Sequence, residues 1–298
     1  MSGYLQGIII LVGINLIAVL GVSILTGFTK LFSFGNAGFM SIGAYTCAIL
    51  TTRYNVPFIV AIIAGAAFAG LVGYGLGSLT LGLQGDYFLI TTLGFGECVR
   101  VLFEYITPVT GGAKGFSGIP HYTNIWIVLI SVILAFIFAW TLTHSKYGRN
   151  LTAIREQEVA AQAVGVDTAK NKLMAFVVSA VYAGWAGALY ANSLTFLEPK
   201  IFNLAKSSEL TITTVIGGLG SLTGSFLGTC VVTLLPEIFR SLSSYRMLLY
   251  GIAVVVIIIV RPSGLYGYKE FSITRIGKWF KKLGKKAGDA KRRGDVAE

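Results

Sequence analysis

Apolar residues in this chain come in long blocks, at 7–27, 31–50, 57–81, 87–107, 123–143, 173–195, 210–236 and 245–260, with short polar stretches between them. The blocks run for 16 to 27 residues, and about 20 residues of helix cover roughly 30 Å of hydrocarbon. Composition agrees with that reading. Hydrophobic residues make up 54% and charged residues 12%, and the mean hydropathy is +0.74, whereas a soluble domain carries about 25% charged residues. The pattern predicts an all-α fold, a polytopic transmembrane helical bundle. Its 37 glycines predict either close helix packing or discontinuous, re-entrant segments, because backbone groups freed by a break must be satisfied inside the protein.

The block at 7–27 has no Lys or Arg before it and no small-residue cleavage site after it, so it is read as a retained span. Cys47, Cys98 and Cys230 stand singly inside apolar blocks and are read as packing residues. His121 and His144 stand alone, no carboxylate cluster suggests a metal, and no G-x-x-x-x-G-K-[ST] phosphate loop is present. The expectation is a chain that is not an enzyme and carries neither metal nor cofactor.

Charge orients the bundle. From Arg261 onward, eleven Lys and Arg face four Asp and Glu, which supplies +7 of the net +11. Such a tail is expected to stay cytoplasmic. Its "KWFKKLGKK" stretch offers Trp279, Phe280 and Leu283 to an anionic lipid surface in preference to nucleic acid. The expected division is therefore a membrane domain over 1–268, with a polar loop at 144–172, and a basic tail over 269–298.

The polar loop carries Lys146, Arg149, Arg155, Lys170 and Lys172 and is also expected in the cytoplasm. An even number of crossings must then separate Lys172 from Arg261, yet three apolar blocks lie between them. The block 210–236 contains Gly217, Gly218, Gly220 and Gly224, each costing about 1 kcal/mol against Ala in a helix interior. It is read as a half-helix, a Gly turn at membrane depth and a returning helix; the alternative is an unbroken Gly-rich packing seam. Counting back places Lys114 and Arg53 outside, Lys30 inside and the amino terminus outside. Block 31–50, rich in Gly and Ser, suggests a second broken or tightly packed segment. Glu97, Arg100 and Glu104 share one helical face, either as functional intramembrane charges or as a neutralised face.

Within the loop, Leu151, Ile154, Ala161 and Val164 at mixed three and four spacing predict one amphipathic helix over 151–164. Gly165 can supply a left-handed cap, and Asp167 can cap the helix that follows. A helix too polar to insert, followed by a sharp turn into a span, suggests docking to a cytoplasmic partner; a helix lying on its own bilayer is the alternative.

The stretch "AIREQEVAAQAVGV" resembles the ATPase-contacting loop of bacterial ABC importer permeases, whose pattern is E-A-A-x-x-x-G. Ala160, Ala161 and Gly165 fit it, while Val159 stands at the usual Glu position and Glu158 one residue early. The whole chain is similar to LivM-type branched-chain amino acid permeases. "SFGNAGFMSIGAYTCAIL", "GDYFLITTLGFGECVR", "TGGAKGFSGIP", "GGLGSLTGSFLG" and "YRMLLYGIAVVVIIIVRPSGLYG" follow in that family's order. It departs at Asn36, where His is frequent, and at Ala113 and Lys114, where Pro-Asn is frequent. Those departures bear on the solute, since the same family serves urea, amides and other small polar solutes.

The resemblance implies an importer in the bacterial inner membrane built from this permease, a second LivH-type permease, two cytoplasmic ATPases and an extracytoplasmic solute-binding protein. Arg155, Glu158, Ala160, Ala161 and Gly165 would then form the ATPase-coupling element, with the alanines admitting close approach and the charged residues pairing with the partner. Asn36, Ser41, Thr91, Thr92 and Thr211, with the turn at Gly217, Gly218 and Gly220, are the candidate path, polar without fixed charge. A stand-alone secondary transporter or channel is the reading from another class. It would need Asp86 or Glu97 as a coupling carboxylate and would leave the loop helix unexplained.

Overall fold

The computed structural model describes residues 3–83, 85–238, 246–261 and 264–265. The basic tail over 269–298, and with it the expected lipid contact of Trp279, Phe280 and Leu283, lies outside the described residues. The helices are α1 (Gly3–Val22, continued as a π-helix over Ser23–Gly27), α2 (Asn36–Arg53), α3 (Phe58–Thr80), α4 (Asp86–Tyr105), α5 (Thr107–Thr110) and α6 (Ile125–His144). They continue as α7 (Lys146–Glu156), α8 (Glu158–Ala163), α9 (Thr168–Leu194), α10 (Leu204–Gly217), α11 (Leu222–Ile238) and α12 (Arg246–Val260). Two short strands, β1 (Phe116–Ser117) and β2 (Phe196–Leu197), pair antiparallel.

The chain is a polytopic helical membrane bundle with interrupted segments, as the apolar blocks predicted. Among the described residues, four helices, α1 with its π continuation, α3, α6 and α9, are long and apolar enough to cross a membrane by length and composition. One end of the bundle carries Lys30, the α3–α4 turn and the polar loop, which line a common cleft. The other end carries Arg53, whose guanidinium donates to the Pro108 carbonyl at 2.6 Å, and the β1–β2 pair.

Helix α1 has no polar face, and from Gly13 to Val22 it is buried on every side. Around it, glycines let backbones meet. A Cβ on Gly43 would overlap the Gly184 backbone, and one on Gly187 would overlap the Met40 carbonyl, so α2 and α9 touch main chain to main chain. In lipid, where apolar burial between helices gains little, this close packing is what holds spans together.

Block 31–50 is not one helix. The chain runs non-helically from Lys30 to Gly35, with Lys30 left-handed at φ +57°, and α2 starts at Asn36. The freed backbone groups are met by side chains, as burial requires. Phe34 N–H donates to Thr92 Oγ1 at 3.2 Å, Asn36 Nδ2 donates to the Ser33 carbonyl at 2.9 Å, and Ala37 N–H donates to Ser207 Oγ at 2.9 Å.

Block 210–236 is a helical hairpin, α10 and α11, broken at Gly218 and Gly220 with φ of +119° and +82°. It is also a seam: Gly217 faces the Gly224 carbonyl, and Gly228 faces the backbone of Gly217 and Thr213. The turn stands at the Gly27 end of α1. The start of α10 lies further along the bundle, where Lys206 Nζ donates to Asn15 Oδ1 at 3.1 Å, about 18 Å along α1 from Gly27. Helix α10 begins at Leu204 because Asn203 caps it, Oδ1 accepting from Lys206 N–H at 3.0 Å. The expected boundary at 210 missed that cap.

The polar loop also differs from the expected single helix over 151–164. It forms α7 and α8, separated by Gln157 in extended backbone at φ −157° and ψ 108°. No Gly or Pro marks this break. Lys172 binding Glu158 at 2.5 Å and Gln162 Nε2 donating to Thr168 Oγ1 at 2.9 Å draw α8 against α9.

Candidate functional site

The loop is positioned by local chemistry at both ends. Ser145 caps α7, its Oγ accepting from Gly148 N–H. Gly165 is left-handed at φ +87°, and Asp167 caps α9, its side chain accepting from Lys170 N–H at 3.1 Å. That hydrogen bond, reinforced by the Lys170 ammonium, holds the Asp167 carboxyl below its usual range. Gly165 and Asp167 do what their residue types predicted.

Between these ends the expected coupling residues divide. Leu151, Ile154 and Ala161 are buried against the bundle, while Ala160 is exposed. The outward surface of α8 is Val159, Ala160 and Ala163, with Val164 beyond it; Val159 and Val164 are 73% and 79% exposed. Ala161 therefore packs inward and cannot be the close-approach point for a partner, and Val164 is not on the buried face as expected. Both follow from the break at Gln157 and the pull toward α9.

The charged residues are turned inward too. The Arg155 side chain, 13% exposed, pairs with Glu156 at 2.9 Å, and its Nη1 reaches the Gly27 carbonyl at 3.5 Å. It also lies where a Cβ on Gly220 would stand, so the end of α1, the hairpin turn and α7 meet at one guanidinium. Glu158 joins Lys172 on α9. Arg155 and Glu158, expected to pair across a partner interface, fasten the loop to α1 and α9 of their own chain, with the hairpin turn packed against Arg155. Sequence spacing gave no hint of Gly27 or Lys172 as their partners, because both contacts are tertiary.

The candidate path residues fall into two places. Asn36 on α2, Thr92 on α4 and Thr211 on α10 are buried, as is Ser41 further along α2. Asn36 Oδ1 accepts from Ser179 Oγ of α9 at 3.4 Å, and Thr211 Oγ1 donates to the Ser207 carbonyl at 3.0 Å. These contacts with those of Thr92 and Ser207 fasten the interruption before α2. Ser41 and Thr91 bond their own helices, to the Gly38 and Tyr87 carbonyls; Thr91 is half-buried and apart from Thr92's network. Gly217, Gly218 and Gly220 sit at the other place, the turn beside Arg155.

Arg100 bonds Glu97 at 2.7 Å and Glu104 at 2.6 Å, which pairs these α4 charges with one another and leaves one net negative charge on the face. Glu97 also accepts from Leu204 N–H at 3.2 Å, so a carboxylate caps the start of α10. Lys206, missed as a site residue, is 14% exposed on its side chain and held by Asn15 and Glu209. Asn15, a lone amide in an otherwise apolar block, was the available signal.

A bundle of interrupted spans, tied at one end to a structured polar loop and carrying no phosphate loop in its sequence, is the membrane domain of a transporter. Residues 4–260 match the profile of the family described as branched-chain amino acid transport system / permease component, and the chain belongs to that family. It is 32% identical to the high-affinity branched-chain amino acid transport system permease protein LivM of Escherichia coli (strain K12), over 85% of this chain and 67% of that one. The LivM of Salmonella typhimurium is similar to the same extent. The probable LivM of Methanocaldococcus jannaschii is 25% identical over 68% of each chain. No solved structure matches the chain.

Proposed function

We propose that this chain is the LivM-type permease subunit of an ABC importer in a bacterial inner membrane, forming part of the path for branched-chain amino acids. ATP is hydrolysed on two separate cytoplasmic ATPases, a second LivH-type permease completes the membrane unit, and an extracytoplasmic binding protein delivers the solute. The polar loop and Arg261 lie in the cytoplasm, with the basic tail on the anionic lipid surface. The relatives named LivM support the solute and the kind of partner.

The observation that carries the coupling role is the junction at Arg155. An exposed apolar surface on α8 offers a docking face, while Arg155 and Glu158 tie the same loop to α1, α9 and the α10–α11 turn. A push on α8 therefore reaches α9 through the Glu158–Lys172 pair, and the end of α1 and the hairpin turn through the Arg155 guanidinium packed against them. The path role of Asn36, Ser41, Thr91, Thr92 and Thr211 rests on their polarity without charge and, for Asn36, Thr92 and Thr211, on their place where two spans are interrupted.

Reconstitution of the chain with both ATPases, the second permease and the binding protein tests the reading, by following labelled leucine uptake with solute-stimulated ATP hydrolysis. Replacing Val159 and Val164 by Asp should abolish stimulation while leaving the permease folded. Full stimulation in that variant would remove the docking face from α8. Uptake of urea or short amides with no uptake of leucine would move the assignment to another solute of the same family.

A further inference from the structure

Between the polar loop and the bundle lies a cleft of about 820 Å³, floored by apolar side chains that include Leu31, Phe32, Leu81 and Phe88. The charged side chains lining it are Lys30, Asp86, Glu158 and Lys172, two of each sign. Glu158 and Lys172 neutralise each other at 2.5 Å. Lys30 and Asp86 have no ion-pair partner among the described residues. Lys30 is held left-handed at φ +57°, a conformation that a Lys adopts only where surrounding structure imposes it. Asp86 opens α4, at the positive end of that helix's dipole.

One cation and one anion above an apolar floor match a zwitterion with an apolar tail. An anionic headgroup would meet Asp86 and Glu158, and an acyl chain would cover both unpaired charges without satisfying either. The opposite wall of the cleft is the loop itself, through Ile154, Glu158 and Gln162, with the largely exposed Val159 at its rim. A ligand seated here touches the bundle and the coupling helices together.

We propose that this cleft binds an α-amino acid with an apolar side chain on the side where the solute leaves, and that its occupancy restrains α7 and α8 and slows further import. This rests on the reading of the chain as an amino acid importer subunit. The amino acid carboxylate pairs with Lys30, its ammonium pairs with Asp86, and its side chain lies on the apolar floor. Released product thus acts on the same helices that the ATPase must move. The volume is ample for one leucine with ordered water.

The test uses the complete importer in vesicles, with labelled leucine supplied outside and unlabelled compounds enclosed. Internal L-leucine should slow initial uptake. 4-Methylpentanoate, which lacks the amine, and isoamylamine, which lacks the carboxylate, should do so only at much higher concentration, since each leaves one charge unpaired. Lys30→Gln and Asp86→Asn should leave uptake into empty vesicles unchanged and raise the internal leucine giving half-inhibition about tenfold each, the factor for one charge-assisted contact. Normal uptake with no internal inhibition, or inhibition equal in the wild type and both variants, would overturn the inference alone. Absence of leucine uptake into empty vesicles would instead overturn the transport reading, and this inference with it.

Discussion

Gly165 stands at φ +87° with nothing within 4 Å of the place a Cβ would occupy, so its requirement is one of backbone conformation and not of space. Gly165→Val should therefore cost roughly 1–2 kcal/mol or shift α8, while Gly165→Asn, which tolerates the left-handed region, should behave nearly as wild type. In the reconstituted importer the Val variant should show reduced uptake per ATP hydrolysed; equal coupling in both would take Gly165 out of the lever. Glu158 and Lys172 make a second case. Glu158 is 42% exposed on its side chain, so solvent screening limits their pair to about 1 kcal/mol of stability. Its larger effect should be on transmission between α8 and α9. Glu158→Lys alone should uncouple transport, and adding Lys172→Glu should restore it; a double variant as defective as the single one would exclude the pair. Gly165 and Asp167 were legible because their chemistry is local, a permissive φ and a side-chain cap. Arg155, Glu158 and Ala161 were legible as a motif but not in direction, because what they face is set by α1, α9 and the hairpin turn.

Elements in this bundle are joined by glycine seams, and each seam makes a falsifiable demand. Gly187 lies against the Met40 carbonyl and the Ala44 amide, both backbone atoms of a buried helix that cannot swing aside as a side chain would. Gly187→Ala should force α2 and α9 apart and destabilise the protein by about 3 kcal/mol, an overpacking cost at the upper end of the usual range. Gly75→Ala on α3, where nothing lies within 4 Å of the added Cβ, should be neutral or slightly stabilising through helix propensity. Thermal unfolding in detergent separates them, and comparable midpoints would mean that the seam is looser than its geometry implies. The hairpin break was readable because Gly218 and Gly220 mark it directly, as was some irregularity in 31–50 from its Gly and Ser content. The break at Gln157 carries no such mark and exists only because α9 holds α8. The start of α10 was misplaced for a related reason: the apolar block begins at 210, whereas the Asn203 cap and the Lys206 contact with Asn15 carry the helix back to Leu204.

For the whole molecule the parity of crossings was the strongest long-range constraint in the sequence. Lys172 and Arg261 had to share a side although three apolar blocks lie between them. The hairpin resolves this in space. Helix α9 leaves the polar-loop end, and α10 and α11 go to that end and return, with Glu237 near the close of α11 bonded to Tyr4 near the start of α1. After α12, Leu265 N–H donates to the Ile216 carbonyl at 2.8 Å, and Gly264 lies against Gly218, back beside the turn. The chain after α12 is thereby brought to the end that holds Lys30, Arg155 and Lys172. By the positive-inside rule we propose that this end is the cytoplasmic one. In a background with Cys47, Cys98 and Cys230 replaced, single cysteines at Lys30 and Gly82 should react with a membrane-impermeant thiol reagent only from the cytoplasmic side, and those at Arg53 and Lys114 only from outside. All four positions are exposed, so failure to label cannot be put down to burial. Replacing Gly218 and Gly220 with Leu attacks the parity itself. A turn that needs positive φ at both places cannot form, and the hairpin must either misfold or straighten into a single crossing. A straightened hairpin would carry the carboxyl terminus outside, which a C-terminal reporter active only beyond the cytoplasm would reveal. A variant that kept normal uptake and a cytoplasmic reporter would show that the turn does not fix the topology, and the parity would have to be set elsewhere.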